Sequence, residues 1–251
     1  MTPPPKKRAS PTRTSRPSAV AREEEPLPVT PPVTLIVGTD TGVGKTWITC
    51  ALAYALKDAG QDVIAVKPIE TDCLDPPRTD EDGIRLAEAT GQSGPKRALV
   101  RLPGQVAPAI AADLAGVTID YDDLVARIRA LAAPETLLLV EGAGGLLSPL
   151  TWNDNHLDLA HSLDARVLLV AADRLGTIGH TLMALRVLQA EKVPVLGVVL
   201  NQPGEPDDST MTNAGALARL AESTAFVTVP NLHDPERAAL AVKEVAGWLL
   251  P

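Results

Sequence analysis

The stretch VGTDTGVGKT at residues 37–46 constrains the fold more than any other part of the chain. It ends the apolar, β-branched run VTLIVG (33–38) and opens the Ala- and Leu-rich segment WITCALAYALKDAG. A strand, a Gly-rich turn, Gly-Lys-Thr and a helix in that order make a phosphate-binding loop. Its backbone N–H groups form a nest for phosphate oxygens, the lysine adds positive charge, and the threonine hydroxyl reaches Mg²⁺. The helix directs its positive end at the same place. Counted back from Gly44-Lys45-Thr46, the common G-x-x-x-x-G-K-[ST] pattern has its first glycine at position 39, where this chain has Thr39. The glycine lies one residue early, at Gly38, and marks a subtype of the loop. Gly42, Val43, Gly44, Lys45, Thr46 and Trp47 are the expected nucleotide cradle, with Thr41 at its entrance.

Beyond the loop a rhythm runs through the chain. Short apolar runs at 33–38, 62–68, 136–142, 166–173, 194–201 and 225–230 alternate with helix-length segments at 45–59, 80–90, 120–132, 177–191, 212–222 and 235–249. RALVRL (97–102) is a candidate seventh strand. Near-continuous apolar strands separated by helices predict a parallel sheet covered on both faces. The expected class is α/β: a doubly wound, mainly parallel sheet of about seven strands, of the P-loop NTPase kind. No long linker interrupts residues 33–251, so one ATP-binding domain is expected there. Aromatic residues make up only 2 %, so the core must be built from Ala, Val, Leu and Ile.

Residues 1–32 are rich in Pro, Ser, Thr and Arg and poor in large apolar side chains. That composition predicts a disordered tail. Its first 22 residues carry six basic side chains and no acid, so import into an organelle stays open beside the cytoplasmic reading. The formal net charge of −8 argues against a dedicated nucleic-acid or anionic-membrane binder, and no apolar run reaches the ~18 residues of a membrane span. Cys50 and Cys73 fit no zinc spacing and read as reduced thiols. His156 and His161 are five apart, one residue beyond the helical metal-binding pair, and receive no metal role.

In a doubly wound sheet ligands bind beyond the carboxyl ends of the strands, so the strand ends carry the candidates. Lys67 closes the second run, in VKPIETDC, where it neutralises phosphate or holds an anionic substrate. RTDEDGIRLAEATG opens with Asp80, Glu81 and Asp82. Acids are favoured at a helix start in any case, but one carboxylate beside phosphate is also what Mg²⁺ requires. Asp82 is the preferred ligand, though spacing alone does not separate it from Asp80. In TLLLVEGAGG the apolar stretch is followed by Glu141 and resembles a Walker B strand with glutamate for aspartate. Gly142, Ala143 and Gly144 then let a ligand approach the backbone. RLGTIGHT (174–181) opens a helix whose first N–H groups bind a carboxylate or form an ordinary turn. Asn201 either reads an adenine with its amide or marks the turn before Pro203.

Taken in order, GTDTGVGKT, VKPIET, VEGAGGLLSPL, LGTIGHT, VVLNQ and VPNL resemble the ATP-dependent dethiobiotin synthase family across residues 34–232. The resemblance implies 7,8-diaminopelargonate, CO₂ (or bicarbonate) and Mg·ATP as substrates, and closure of a ureido ring through a carbamate and a carbamic–phosphoric anhydride. It implies charge neutralisation by Lys45 and Lys67, help from Thr41 at the transferred phosphoryl group, and Mg²⁺ on Thr46, Asp82 and Glu141. It also implies Thr71 at the carbamate end of the diamine. Gly144 and a partner subunit's copy of the Leu175, Gly176, Thr177 turn would hold the diamine chain, in a homodimer. Asn201, Gln202, Pro230, Asn231 and Leu232 would surround adenine. Two positions depart from the pattern: Asp72 stands where a glycine usually follows Ser or Thr, and Gly179 where Asn usually precedes His180. Two other readings share the loop and fold: a partitioning-type ATPase switch, whose signature lysine near the loop start is Asp40 here, and a diverged non-catalytic paralogue.

Overall fold

The structure is a computed structural model and describes residues 33–202, 204–205 and 208–250. The expected disordered tail over 1–32 lies outside them. The chain begins with β1 (Thr34–Gly38), α1 (Lys45–Asp58), β2 (Asp62–Val66), β3 (Ile69–Glu70), α2 (Asp82–Thr90) and β4 (Val100–Arg101). Next come α3 (Pro108–Ala115), α4 (Tyr121–Arg129), β5 (Thr136–Gly145), α5 (His156–Ser162), β6 (Arg166–Ala172) and α6 (Thr177–Ala190). The last part holds β7 (Val195–Asn201), α7 (Asn213–Leu220), β8 (Phe226–Val229), α8 (Pro235–Ala238) and α9 (Lys243–Leu249). Six strands form one parallel sheet in the order β2-β5-β1-β6-β7-β8.

The period of two in a strand sends alternate side chains to opposite faces, and both faces of this sheet are covered. On β1, Leu35 and Val37 enter one core with Leu124 and Ile128 of α4, Leu159 of α5 and Leu188 of α6. Ile36 enters the other with Ile48, Leu52 and Leu56 of α1, Leu86 of α2 and Val245 of α9. β6 repeats the division, with Val167 and Leu169 on the first face and Leu168 and Val170 on the second. Truncating one of these fully buried leucines to alanine costs about 2–5 kcal/mol.

Three expectations change in detail. The candidate strand at 97–102 does not join the main sheet. Only Val100 and Arg101 pair, with Ile69 and Glu70, in a separate two-stranded parallel ribbon. The main sheet therefore has six strands, not about seven. The helical segment at 235–249 is two short helices, α8 and α9. α3 and α5 are additional; with 8 and 7 residues they are too short to show clear periodicity.

The strands all point their carboxyl ends to one edge. β1 lies between β5 and β6, where the direction of winding reverses, so the loop after β1 sits at the topological switch point.

Candidate active site

The loop after β1 explains its displaced glycine. A Cβ at Gly38 would lie 2.6 Å from the Asp40 carbonyl oxygen and 2.9 Å from Lys45 Nζ, so the loop folds back onto a position only glycine fills. Gly44 caps α1 in the left-handed region, at φ 93°. Asn201, at the end of β7, donates from Nδ2 to the Val43 carbonyl at 3.0 Å and braces the loop from below. Lys45 is buried, and its Nζ donates to the Asp40 carbonyl at 3.2 Å. Burial, and then repulsion from Lys67, lower its pKa to about 8.

Across the cleft lies a compact ionic cluster. Lys67 Nζ donates to Glu141 Oε1 and to Asp82 Oδ2, both at 2.7 Å. The Thr46 hydroxyl donates to the same Glu141 Oε1 at 2.7 Å. Burial acts to lower the pKa of Lys67, but the Glu141 and Asp82 carboxylates outweigh it and hold the ammonium above its ordinary value. For Asp82 burial acts upward, and attraction to Lys67 prevails to hold the carboxyl low. Glu141 is fully buried, yet its Oε2 has no hydrogen-bond partner. A buried carboxylate oxygen without a partner is rare. Beside the Thr46 hydroxyl and Asp82 it completes a set of hard oxygen donors that fits Mg²⁺. The same geometry separates the two aspartates: Asp80 is exposed and pairs with Arg78 at 3.1 Å, away from the cluster.

Three supports for this cluster escape a sequence reading. The Glu70 carboxylate accepts from the backbone N–H groups of Asp82 and Gly83, the latter at 3.0 Å, and so caps α2 from another element. Burial pushes the Glu70 carboxyl up. Glu81, the residue at the N-cap position, instead receives Arg101 Nε at 2.9 Å and Nη2 at 2.7 Å. His156 is fully buried, and its Nε2 accepts the Ala143 N–H at 2.9 Å. Burial, then Lys45 and Lys67, lower its pKa to about 3, which keeps the ring neutral. No metal role is needed for it. Its signal was present only as the pattern Asn155…Asp158, which forms a capping box that starts α5 at His156.

Half of the expected residues line one cleft of about 350 Å³. The loop contributes Thr41, Gly42, Gly44, Lys45, Thr46 and Trp47; Lys67, Thr71 and Asp82 face them, and Ala143 and Gly144 close one side. Val43 turns its side chain into the core and Gly142 is buried beneath the cleft. The expected base-binding residues stand apart from the cleft, along the β7–β8 edge. Gln202 N–H donates to Val229 O at 2.9 Å, and its Nε2 to Asp173 Oδ2 at 3.3 Å. Pro230 and Asn231 follow β8 as exposed residues and Leu232 is half-buried. Leu175 is 85 % exposed, Gly176 caps α6, and neither they nor the buried Thr177 line this cleft.

A family model described as an AAA domain matches residues 33–239. An ATP-dependent dethiobiotin synthetase from Anaeromyxobacter dehalogenans (strain 2CP-1 / ATCC BAA-258) is 39 % identical over 84 % of this chain and 96 % of its own. The chain belongs to the dethiobiotin synthetase family. Members from Mycobacterium sp. (strain KMS), 42 % identical over 75 % of this chain and 84 % of theirs, and Caulobacter sp. (strain K31), 40 % identical over 84 % and 93 %, agree. Among solved structures, the septum site-determining protein MinD from Pyrococcus horikoshii, complexed with Mg-ADP, aligns with a TM-score of 0.51 at 17 % identity. It covers 87 % of this chain and 93 % of its own. At that identity the likeness shows the P-loop fold alone. In the family's terms, the protein is an ATP-dependent ligase.

Proposed function

We propose that this synthetase closes the ureido ring of dethiobiotin from 7,8-diaminopelargonate, CO₂ and ATP. The observation that carries the reading is the cleft in which Lys45, with no ion pair among the described residues, lies beside the Lys67–Glu141–Asp82–Thr46 cluster. One amine of the diamine attacks CO₂: an N–C bond forms, a C=O electron pair moves to oxygen, and a proton leaves the nitrogen. A carbamate oxygen then attacks the γ-phosphorus. An O–P bond forms, the β,γ-bridge P–O bond breaks, and ADP departs. The second amine attacks the carbamoyl carbon, the C–O bond to phosphate breaks, and the second nitrogen loses a proton as the cyclic urea forms.

This sequence needs no protein nucleophile, because the substrate attacks. The chain's residues position reactants and balance charge. Lys45 and the loop N–H groups stabilise the phosphoryl oxygens, and Thr41, at the cleft entrance, adds a hydroxyl. Lys67 is held between two carboxylates, so it stays charged and fixed. Thr71 meets the carbamate end of the diamine. Mg²⁺ held by Thr46, Asp82 and Glu141 supplies neutralisation of phosphate charge. The Leu175–Thr177 turn, outside its own cleft with Leu175 and Gly176 exposed, serves the cleft of a second copy in a homodimer, and the Asn201–Gln202 and Pro230–Leu232 segments flank adenine.

The test is phosphate release from Mg·ATP with bicarbonate, with and without the diamine, with the product weighed by mass spectrometry. Diamine-dependent release with a ureido product is expected. Release independent of the diamine would move the protein to a nucleotide switch. In the same assay Glu141→Gln should raise the Mg²⁺ concentration for half-maximal rate about 10–100-fold; an unchanged metal titration would remove Glu141 from the metal site.

A further inference from the structure

The cleft holds one more cation that neither the strand-end logic nor the ionic cluster uses. Arg85 lines it from α2, one helical turn after Asp82. Positions three apart on a helix share a face, so the metal-side carboxylate and this guanidinium point the same way. Arg85 is half-buried and, among the described residues, its guanidinium makes no hydrogen bond or ion pair, although its charge adds to the attraction that holds the Asp82 carboxyl low. A guanidinium has five N–H donors in a planar fork suited to phosphate or carboxylate. Withdrawing it partly from water without a partner is unfavourable, unless a ligand brings the anion.

The other charges of the cleft are already matched. Lys67 lies between Glu141 and Asp82. The Glu70 carboxylate is taken up by the first N–H groups of α2. The Asp72 carboxylate, on the rim, faces Arg78. Among the described residues, Lys45 and Arg85 are the cations of the cleft lining whose side chains form no ion pair. They come from two neighbouring helices, Lys45 at the start of α1 and Arg85 on α2. Asn201 braces the loop from the β7 side, whereas α2 begins at the Lys67–Glu141 cluster, so Arg85 belongs to the metal and terminal-phosphate end. The cap from Glu70 fixes the helix that presents it.

We propose that Arg85 is a second phosphoryl-binding cation: its guanidinium grips the terminal phosphate of Mg·ATP from the α2 side of the cleft that Lys45 also lines and stabilises that group during transfer. The inference rests on the ligase reading only for the identity of the acceptor. Calorimetry with Mg²⁺ and either ADP or a non-hydrolysable ATP analogue, on wild type, Arg85→Ala and Arg85→Lys, tests it without turnover. Arg85→Ala should weaken the ATP analogue about tenfold and ADP less than twofold, with Arg85→Lys between. In the turnover assay Arg85→Ala should lower kcat at least tenfold with the KM for the diamine unchanged. Unchanged affinity for the analogue, equal losses for ADP and the analogue, or an effect confined to the diamine KM would each overturn it. Should wild type bind nucleotide but ignore the diamine, the ligase reading fails, while the contrast between ADP and the analogue still decides the role of Arg85. Arg85→Gln, of similar length, replaces the alanine variant if that one fails to fold.

Discussion

The two walls of the cleft solve the problem of buried charge in opposite ways. On the α1 wall, Lys45 is buried with only a backbone carbonyl for company, and burial lowers its pKa to about 8. On the β2–β5–α2 wall, Lys67 is equally buried but held between two carboxylates, which raise its pKa. The α1 wall carries a cation with no ion pair among the described residues, whereas on the facing wall Lys67 is shared by two carboxylates. A ligand that is a polyanion is therefore drawn to the first and registered against the second. Catalytic pull and structural order reside in different lysines.

Exchanging each lysine for methionine, which keeps its length, breaks this comparison most severely. Lys45→Met should lower turnover at least about a thousandfold, because a positive charge on the transferring group is removed. Its melting temperature should hold or rise, since an unpaired buried cation is gone. Lys67→Met should do the reverse in stability: the Asp82 and Glu141 carboxylates are left facing each other, a loss on the order of 3–5 kcal/mol in urea unfolding. Equal destabilisation by the two substitutions would show that the walls do not differ as described.

The division also sets what a sequence reader can see. Lys67 and Glu141 were legible because each follows the apolar stretch of a parallel strand, and Lys45 because it opens the helix after such a strand; these strands carry their ligand sites at the same edge. Asp82 was not separable from Asp80, because both open a helix and only the approach of Lys67 distinguishes them. Glu70 and Arg85 were not legible at all. A cap supplied from another strand, and a guanidinium that forms no ion pair among the described residues, are facts of tertiary contact, and no spacing records them. The sheet order was implied by the alternation of elements, but the ribbon of β3 and β4 rests on two residues a side, below the length at which a pattern forms.

Beneath both walls lies His156, and it sharpens the comparison through pH. Its folded-state pKa, about 3, lies below the unfolded value of 6.5, so the unfolded chain binds the extra proton. Stability from this group is intact above about pH 6.5 and lost as pH falls toward 3, by a few kcal/mol when fully developed. His156→Phe should flatten that part of the stability profile. At pH 7 it should cost about 1–3 kcal/mol, because the Ala143 N–H loses its acceptor. Chemical denaturation of both proteins at pH 7 and pH 5 gives the comparison. Parallel profiles would mean that His156 is protonated in the folded state, and that burial and the two lysines do not hold it neutral.

The smallest effect belongs on the rim, where charge is met by solvent and surface partners. Asp72 departs from the family's glycine, and its backbone shows why glycine is usual there: φ is 62°, in the left-handed region. Aspartate tolerates that region better than most side chains. Its carboxylate is half exposed and turns to Arg78 at 3.4 Å, so the negative charge is directed away from Lys45 and Lys67. An exposed pair of this kind contributes little. Asp72→Gly relieves the backbone but restores freedom to the unfolded chain, and these terms oppose each other within about 1 kcal/mol. Its melting temperature should therefore shift by only a few degrees in either direction, and the KM for ATP should stay within twofold. A tenfold change in that KM would place the Asp72 charge inside the phosphate field and join the rim to the reacting walls.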